Sequence, residues 1–268
     1  QTGAVVMSGF STFTGNIDLR GNSYTSFSAP TLTSNTGPIV FGQSGSTNQN
    51  AISTVDLSAL TTTGAVINFW LNPLTSVDFS SLTSTGVGKH IYLAHNSTLT
   101  SASFPVLTTM DGAIVFSQDT AFASLSAPNL VTMNHELELD GCDAMTSLSL
   151  PSLTTISYNG GLSGIILSRV SAIPGITTVS LPALTTMAGL ILARQCRNIT
   201  TFDVSSWTTL GNGFQFVFDS CNLTQAAMDA IFVKLAAIIG SVTSGVVDMR
   251  TQFGGQTPSA TGQAAAAT

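Results

Sequence analysis

The densest group of residues that could do chemistry lies between positions 135 and 143 of the chain. Four carboxylates, Glu136, Glu138, Asp140 and Asp143, fall close together, and His135 precedes them. Two such carboxylates can cleave a glycosidic bond when one acts as a general acid and the other as a nucleophile or base. Binding sites are usually also lined by aromatic side chains, and no aromatic residue neighbours this cluster in the sequence. We therefore expect surface ion pairs here and no catalytic residue.

Arginine residues follow this acidic cluster at later repeats of the chain. Arg169 and Arg194 are expected to stack on adjacent coils, with Asp140 nearby. Such an arrangement would interleave positive and negative groups along the surface. Glu138, Asp140, Arg169 and Arg194 are therefore candidate binding residues.

A column of outward-facing positions is unusually apolar for a protein surface. Its members occupy the middle position of a recurring apolar-x-apolar strand: Asp18, Val40, Asn68, Tyr92, Val115, Glu138, Ile166, Ile191 and Val217. A solvent-facing column should be polar, and contiguous exposed apolar surface usually marks an interface. We therefore expect Val115, Ile166, Ile191 and Val217 to bind a partner protein or a second copy of the chain. Trp70 should also point outward, which makes it a candidate contact residue.

Histidine and cysteine residues fit no metal site. His90 and His95 are five residues apart around a strand, which puts their rings on opposite faces. Cys142, Cys196 and Cys221 match no zinc spacing, and the first two lie two coils apart, too far for a disulfide. Cys196 and Cys221 are on neighbouring coils, but residues of one column point the same way. We expect three free thiols, no metal and no cofactor.

All of these residues belong to, or interrupt, a repeat of about two dozen residues. One half of each unit is an apolar-x-apolar-x-x-Asn phrase, such as IYLAHN at 91–96, and the other half resembles LTSASFPVLTTM at 99–110. Successive units start 22 to 31 residues apart. Alternation of apolar and polar residues predicts two short strands per unit rather than a helix. The sequence therefore predicts a mainly β protein, a parallel β-solenoid of about eight coils stacked about 4.8 Å apart.

One column of the repeat is similar to the asparagine or cysteine position of leucine-rich repeats. A side chain turned into the core at that position satisfies backbone groups at the bend. The column comprises Asn22, Asn72, Asn96, Asp119, Cys142, Cys196 and Cys221. The accompanying Leu-Pro-x-Leu-Thr-Thr phrase resembles repeats of receptor L-domains and of bacterial and phage surface proteins. The resemblance covers residues 5–222 and implies a leucine-rich-repeat-like fold. These units lack a helical convex segment, which favours a straighter solenoid.

The repeat gives way near the end of the chain to a different pattern. A helix is expected at about 224–239, a strand at about 245–252, and the start of a further helix at 257–258. The open sheet edge at the end of a solenoid must be covered to prevent association. We therefore divide the chain into a repeat solenoid, residues 1–222, and a C-terminal α/β cap, residues 223–268.

The chain carries few charges, and most of those are negative. Seven Lys and Arg residues against thirteen Asp and Glu give a net charge of -6. Because phosphate contact needs clustered Lys and Arg, we expect no nucleic acid partner. No run of about 18 apolar residues exists, so we expect no membrane span. Abundant Ser and Thr leave a surface of hydroxyl groups, to which a cell-surface glycan could bind.

Composition and resemblance together imply a non-enzymatic structural or adhesive protein outside the cell. The expected contexts are a fibre, decoration or receptor-binding component of a phage virion, or an adhesin on a bacterial cell surface. A glycan-cleaving tailspike-type hydrolase is an alternative that would use the acidic cluster. An ice-binding solenoid is another, and it would use a double file of hydroxyl groups at Thr61-Thr62, Thr83-Ser84, Thr108-Thr109, Thr154-Thr155, Thr185-Thr186 and Thr208-Thr209. Val131 interrupts that file, which disfavours the ice-binding alternative.

Overall fold

The fold is a parallel β-solenoid, as the repeat predicts. The computed structural model describes residues 2–42, 51–157, 163–168, 175–240, 242–252 and 254–266. The chain is mostly β, forms about eight turns, and ends in two helices that act as a cap. Strands of successive turns pair in parallel, and the pairing stacks the turns along one axis.

Within the described ranges two long sheets run along this axis, one of ten strands and one of nine. The ten-stranded sheet contains Ile17–Asp18, Ile39–Val40, Ile67–Asn68, Ile91–Tyr92, Ile114–Val115, Glu136–Glu138, Gly164–Ile166, Leu190–Arg194, Phe214–Asp219 and Gly245–Asp248. The nine-stranded sheet contains Thr12–Phe13, Ser34–Asn35, Thr62–Thr63, Ser84–Thr85, Thr109–Met110, Thr132–Met133, Thr155–Ile156, Thr186–Met187 and Thr209–Leu210.

A third face is built from shorter sheets that follow one another along the axis. Its strands are Thr2–Val6, Ser23–Ser28, Thr54–Asp56 and Ser76–Asp78 in one sheet, Ser101–Ser103 and Ser124–Ser126 in a second, and Ser147–Ser149 and Thr178–Ser180 in a third. The expectation of two strands per coil is therefore wrong, because most coils have three. The last Thr of the Leu-Thr-Thr phrase and the residue after it make a strand of their own, as at Thr109–Met110, and a turn separates it from the strand before it.

Apolar side chains from all three faces fill the interior of the solenoid. Phenylalanine rings of successive coils pack on one another: Phe41 meets Phe27 edge to face and stacks on Phe69, with centroids 4.8 Å apart in each pair. Trp207 is fully buried and packs edge to face on Phe216 at 5.5 Å. This packing explains why the same apolar positions recur in each unit, since the core of each coil is completed by side chains of its neighbours.

Threonine hydroxyl groups bind consecutive coils together at one corner. Each donates a hydrogen bond of 2.8–3.4 Å to a backbone carbonyl of the preceding coil, and the donors are Thr33, Thr61, Thr83, Thr108, Thr154, Thr185 and Thr208. Six of these threonines are the first residues of the hydroxyl pairs that suggested ice binding. Their hydroxyl protons are bound to the backbone, and most of the second residues of the pairs are half-buried, so the file does not present two rows of free hydroxyl groups.

Glycine is required where the coils approach most closely. A Cβ atom on Gly112 would lie 2.0 Å from the backbone oxygen of Lys89 on the preceding coil. The N–H of Gly112 donates to the buried hydroxyl of Thr85 at 2.7 Å, and the N–H of Gly86 donates to that of Thr63 at 3.0 Å. Only a residue without a side chain leaves room for this contact.

The C-terminal cap closes the interior at one end. Helix α1, Gln225–Ile238, begins at the N-cap Thr224, whose hydroxyl accepts the N–H of Ala227, and it buries Met228, Ile231 and Leu235. Helix α2, Ala260–Ala266, packs against α1. The last strand is shorter than the sequence suggested and stops at Asp248. No helix among the described residues has the length and apolar character needed to cross a membrane.

Candidate functional site

The outer side of the ten-stranded sheet brings most of the expected site residues together. Register places Tyr92 beside Val115, Val115 beside Glu138, and Glu138 beside Ile166. Because neighbouring strands lie about 4.8 Å apart, Tyr92 and Glu138 are separated by about 10 Å along the axis. The expected outward column is therefore real over these coils.

The sequence-based assignment of that column is shifted by one residue at one strand. Ile166 pairs with Leu192, whereas Ile191 pairs with Ile165 and is fully buried in the core. Leu190, Ile191 and Leu192 are all apolar, so alternation alone cannot decide which of them points inward. Ile191 is therefore a core residue, and its assignment to a binding surface is wrong.

The aliphatic members of the column are largely covered by the chain itself. Val115, Ile166 and Val217 are 4%, 8% and 5% exposed. Val115 packs in a small cluster with Ala94 and Ala113, against which Trp70 and Tyr92 are partly buried. The column is therefore not an open apolar surface. Such a surface was the reason for expecting a partner protein or a second copy of the chain to bind there.

Trp70 lies over this small cluster rather than standing free in solvent. It is half-buried, and its ring is tilted by 30° against that of His95, with centroids 4.7 Å apart. His95 adopts a left-handed backbone conformation with φ of 59°. The indole therefore both covers Ala94 and Val115 and leaves part of its surface accessible.

A cluster of histidine and glutamate side chains, His90, His135, Glu136 and Glu138, adjoins Tyr92. The rings of His90 and His135 meet edge to face with centroids 4.7 Å apart, and the His90 ring lies 5.8 Å from that of Tyr92. Nδ1 of His135 lies against Oε2 of Glu136, an ion pair when the imidazole is protonated. The acidic cluster has no aromatic neighbour in the sequence, but the fold brings Tyr92 to it from a coil two repeats earlier.

Burial shapes the protonation of this histidine–glutamate cluster. Burial raises the pKa of Glu138, a hydrogen bond with Ser117 lowers it, and the charges of Asp140 and Glu136 raise it. Burial also lowers the pKa of His90, with a further contribution from His135. Nδ1 of His90 accepts the backbone N–H of Ala113 at 3.0 Å, which favours a neutral imidazole. A carboxyl group whose pKa is raised by burial is a candidate functional group, so Glu138 is the titratable residue of interest in this cluster.

The expected arginine partners are only partly described. Arg169, expected to stack on Arg194, lies outside the described residues. Arg194 is exposed and lies in register with Asp219, two coils beyond the strand that carries Glu138. Among the described residues no group of three or more His, Cys, Asp and Glu side chains is placed to hold a metal ion.

The predicted ladder column forms a series of hydrogen bonds that links three successive coils through Asn72, Asn96 and Asp119. The side-chain amide of Asn72 donates to the carbonyls of Phe69 and Trp70 at 3.0 and 2.9 Å, and Asn96 donates to the equivalent carbonyls of its own coil. The N–H of Asn72 donates to Oδ1 of Asn96 at 3.1 Å, and the N–H of Asn96 donates to Oδ1 of Asp119 at 2.5 Å. The Asn96 side chain thus joins its own bend to the preceding coil, and Asp119 joins its coil to that of Asn96, whereas Asn72 bonds only within its own bend. Asn22 makes the same bonds at the half-buried first coil.

The cysteines continue this ladder with thiols. The three thiols donate to carbonyls of the preceding coil, Cys142 to Phe116 at 3.2 Å, and Cys196 and Cys221 in the same manner. All three cysteines are free and buried, as expected. Burial raises the pKa of Cys142 well above its ordinary value, so this thiol is inert at neutral pH.

Gln252 is a further rung that the sequence reasoning missed. Its side-chain amide donates to the carbonyls of Phe218 and Met249 at 2.5 and 3.0 Å, and its Oε1 accepts the N–H of Leu223. The signal was present, because Val247-x-Met249-x-x-Gln252 repeats the ladder phrase with Gln in place of Asn. The ladder therefore extends into the cap.

Replacing Asn96 with alanine should lower the free energy of unfolding by about 1 to 3 kcal/mol, because buried backbone groups would lose their partners. Asn72→Ala should behave alike. Urea denaturation measures the change, and Asn16→Ala, at an exposed position on the first coil, is the control that should change stability little. Equal stability of all three variants would show that the ladder contributes nothing.

Comparison with protein-family models, curated proteins and solved structures finds no match to this chain. The likeness to leucine-rich repeats therefore depends on the ladder and its phrases alone. What the chain does must be argued from its own surface.

Proposed function

We propose that the chain is a non-enzymatic structural or adhesive protein of an extracellular surface. The contexts that fit are a phage virion, as a fibre, decoration or receptor-binding component, and a bacterial cell surface, as an adhesin. The observation that carries the proposal is the series of threonine hydroxyl bonds that joins coil to coil along the nine-stranded sheet. These bonds, together with the side-chain ladder, favour a stiff rod.

The surface of that rod suits exposure outside the cell. Only 7% of its residues are charged, and the outward positions of the third face are mostly Ser, Thr and Asp. Short strands with hydroxyl side chains leave little apolar surface for nonspecific association. The phrases shared with bacterial and phage surface repeats support the same role. The aliphatic column, being mostly covered, supports it less than the sequence suggested.

Surface location can be tested with antibodies against the purified chain. Intact virions or cells of the source should bind the antibody before any permeabilisation, and protease treatment of intact particles should remove the signal. A cytoplasmic protein of the same source, probed in parallel, reports leakage. Signal that appears only after lysis would refute the proposed role.

The histidine–glutamate cluster supports a hydrolase as the second candidate, because Glu138 has a raised pKa and lies two coils from Tyr92. We nevertheless expect no release of oligosaccharide when the protein is incubated with capsular or lipopolysaccharide glycans. The three clefts of about 510–530 Å³ among the described residues are lined by neither Glu138 nor Asp140, so none of them would hold a substrate across these two carboxylates. Reducing-end assays measure the outcome. Release that Glu138→Gln or Asp140→Asn abolishes would establish the hydrolase instead.

A further inference from the structure

The third face carries a groove of about 530 Å³ along its four-stranded sheet. Its polar floor repeats from coil to coil, with Ser28, Asp56 and Asp78 in one column and Ser26, Thr54 and Ser76 in another. Half-exposed Val77 and Pro105 also line it. The volume lies within the range of roughly 300–1,000 Å³ that is typical of ligand sites.

The carboxylates of the groove are held in place by their own neighbours. Oδ2 of Asp56 accepts the hydroxyl of Ser28 at 2.9 Å, and Oδ1 accepts the N–H of Ser58 at 3.1 Å. Oδ1 of Asp78 accepts the N–H of Ser80 at 2.8 Å. Burial raises the pKa of Asp56, but the hydrogen bonds from Ser58 and Ser28 outweigh it and lower the pKa overall. Asp56 is therefore ionised at neutral pH.

The charge of the groove selects among possible ligands. No Lys, Arg or His occurs among the described residues that line it, so two aligned carboxylates would repel an anionic ligand. They accept hydrogen bonds well, and charged acceptors form the stronger ones. A ligand with many hydroxyl donors and no negative charge fits this lining.

The shape of the groove points to an extended ligand. Its polar columns run parallel to the solenoid axis, and identical positions return about every 4.8 Å. A chain of linked sugars presents hydroxyl groups at regular intervals along one edge and C–H faces that can pack on Pro105. We infer that this groove binds a neutral oligosaccharide lying along the solenoid axis. The inference rests on the proposed surface role, which is what would bring the protein into contact with such a glycan.

Binding can be measured by calorimetry on the full chain with neutral and acidic probes. The neutral probes are tetrasaccharides of glucose, mannose and N-acetylglucosamine, and tetragalacturonate is the acidic probe. At least one neutral probe should bind, and tetragalacturonate should bind at least tenfold more weakly. Asp56→Asn combined with Asp78→Asn should weaken binding of the neutral probe at least tenfold, and the circular dichroism spectrum should stay unchanged.

A matched pair of tryptophan substitutions tests whether the ligand binds in this groove. Ser76→Trp fills the groove, whereas Ser147→Trp adds the same side chain at an equivalent exposed position outside it. The first should abolish binding and the second should leave it intact. The inference is overturned if no neutral probe binds, if tetragalacturonate binds equally, or if both tryptophan variants lose binding. Binding without antibody labelling of intact particles would leave the site standing and remove only the surface role.

Discussion

Replacement of Asp119 by asparagine should raise the melting temperature at pH 8 and leave it nearly unchanged at pH 4. Asp119 is fully buried in the ladder, where the other polar rungs described are uncharged. Burial raises its pKa to about 9, although the N–H of Asn96 opposes the shift. Its second carboxyl oxygen has no hydrogen-bond partner among the described residues. The folded protein therefore holds a proton here that the unfolded chain releases above its ordinary pKa of 3.8.

The sign of this effect follows from the direction of the shift. A raised pKa in the folded state means that stability is greatest below pH 3.8 and declines as pH rises toward 9. The decline approaches about 1.4 kcal/mol for each pH unit as an upper limit. Asparagine can make the ladder bonds that Asn96 makes and has no proton to lose.

Thermal melts of both proteins between pH 4 and pH 9 test this expectation. Asp203→Asn is the control, because hydrogen bonds from Ser205 lower the pKa of that exposed carboxyl. Asp203→Asn should slightly lower the stability of the protein at neutral pH, whereas Asp119→Asn should raise it. A constant difference between the Asp119 variant and the parent at every pH would mean that Asp119 is already ionised in the folded state.

Gly112→Ala should destabilise the protein by about 3 kcal/mol, the upper range for overpacking in a tight core. The added methyl group would meet the backbone oxygen of Lys89, which cannot rotate away as a side chain could. Relief requires the coils to separate, and separation would break the hydrogen bonds between Gly112 and Thr85. Chemical denaturation measures the loss.

Gly15→Ala is the matched control for this second substitution. A methyl group there would meet only the ring of Phe13 at 3.3 Å, and the site is exposed. Its stability should stay within about 0.5 kcal/mol of the parent. If the two variants have the same free energy of unfolding, the close approach of the coils at Gly112 is absent in solution.

The repeat made the solenoid predictable because each coil must satisfy the same core and the same bend. The phase of individual strands was harder to predict. Between Leu190 and Leu192 every residue is apolar, so only pairing with Ile165 and Phe216 on the neighbouring coils places Ile191 inward. The third strand that most coils have was not predicted, because two-residue strands show no alternation to detect.

The candidate site was predicted in part. Glu138 and Val115 share a column as expected, because that column follows directly from the repeat. Tyr92 and His90 were missed as neighbours of the acidic cluster, since they lie more than forty residues away in the sequence. Pairwise contacts across two coils depend on side-chain direction, which the repeat phrase does not encode.

The threonine hydroxyl bonds have a mechanical consequence. They run between adjacent coils, as do the strand pairings and the ladder, so a load pulling the two chain ends apart along the axis acts on one coil boundary at a time. Coils would then peel off singly under tension, each at a similar force, instead of the whole molecule giving way together. The chain would lengthen in many small steps and absorb work at each, a useful property for a tether between two bodies in moving fluid.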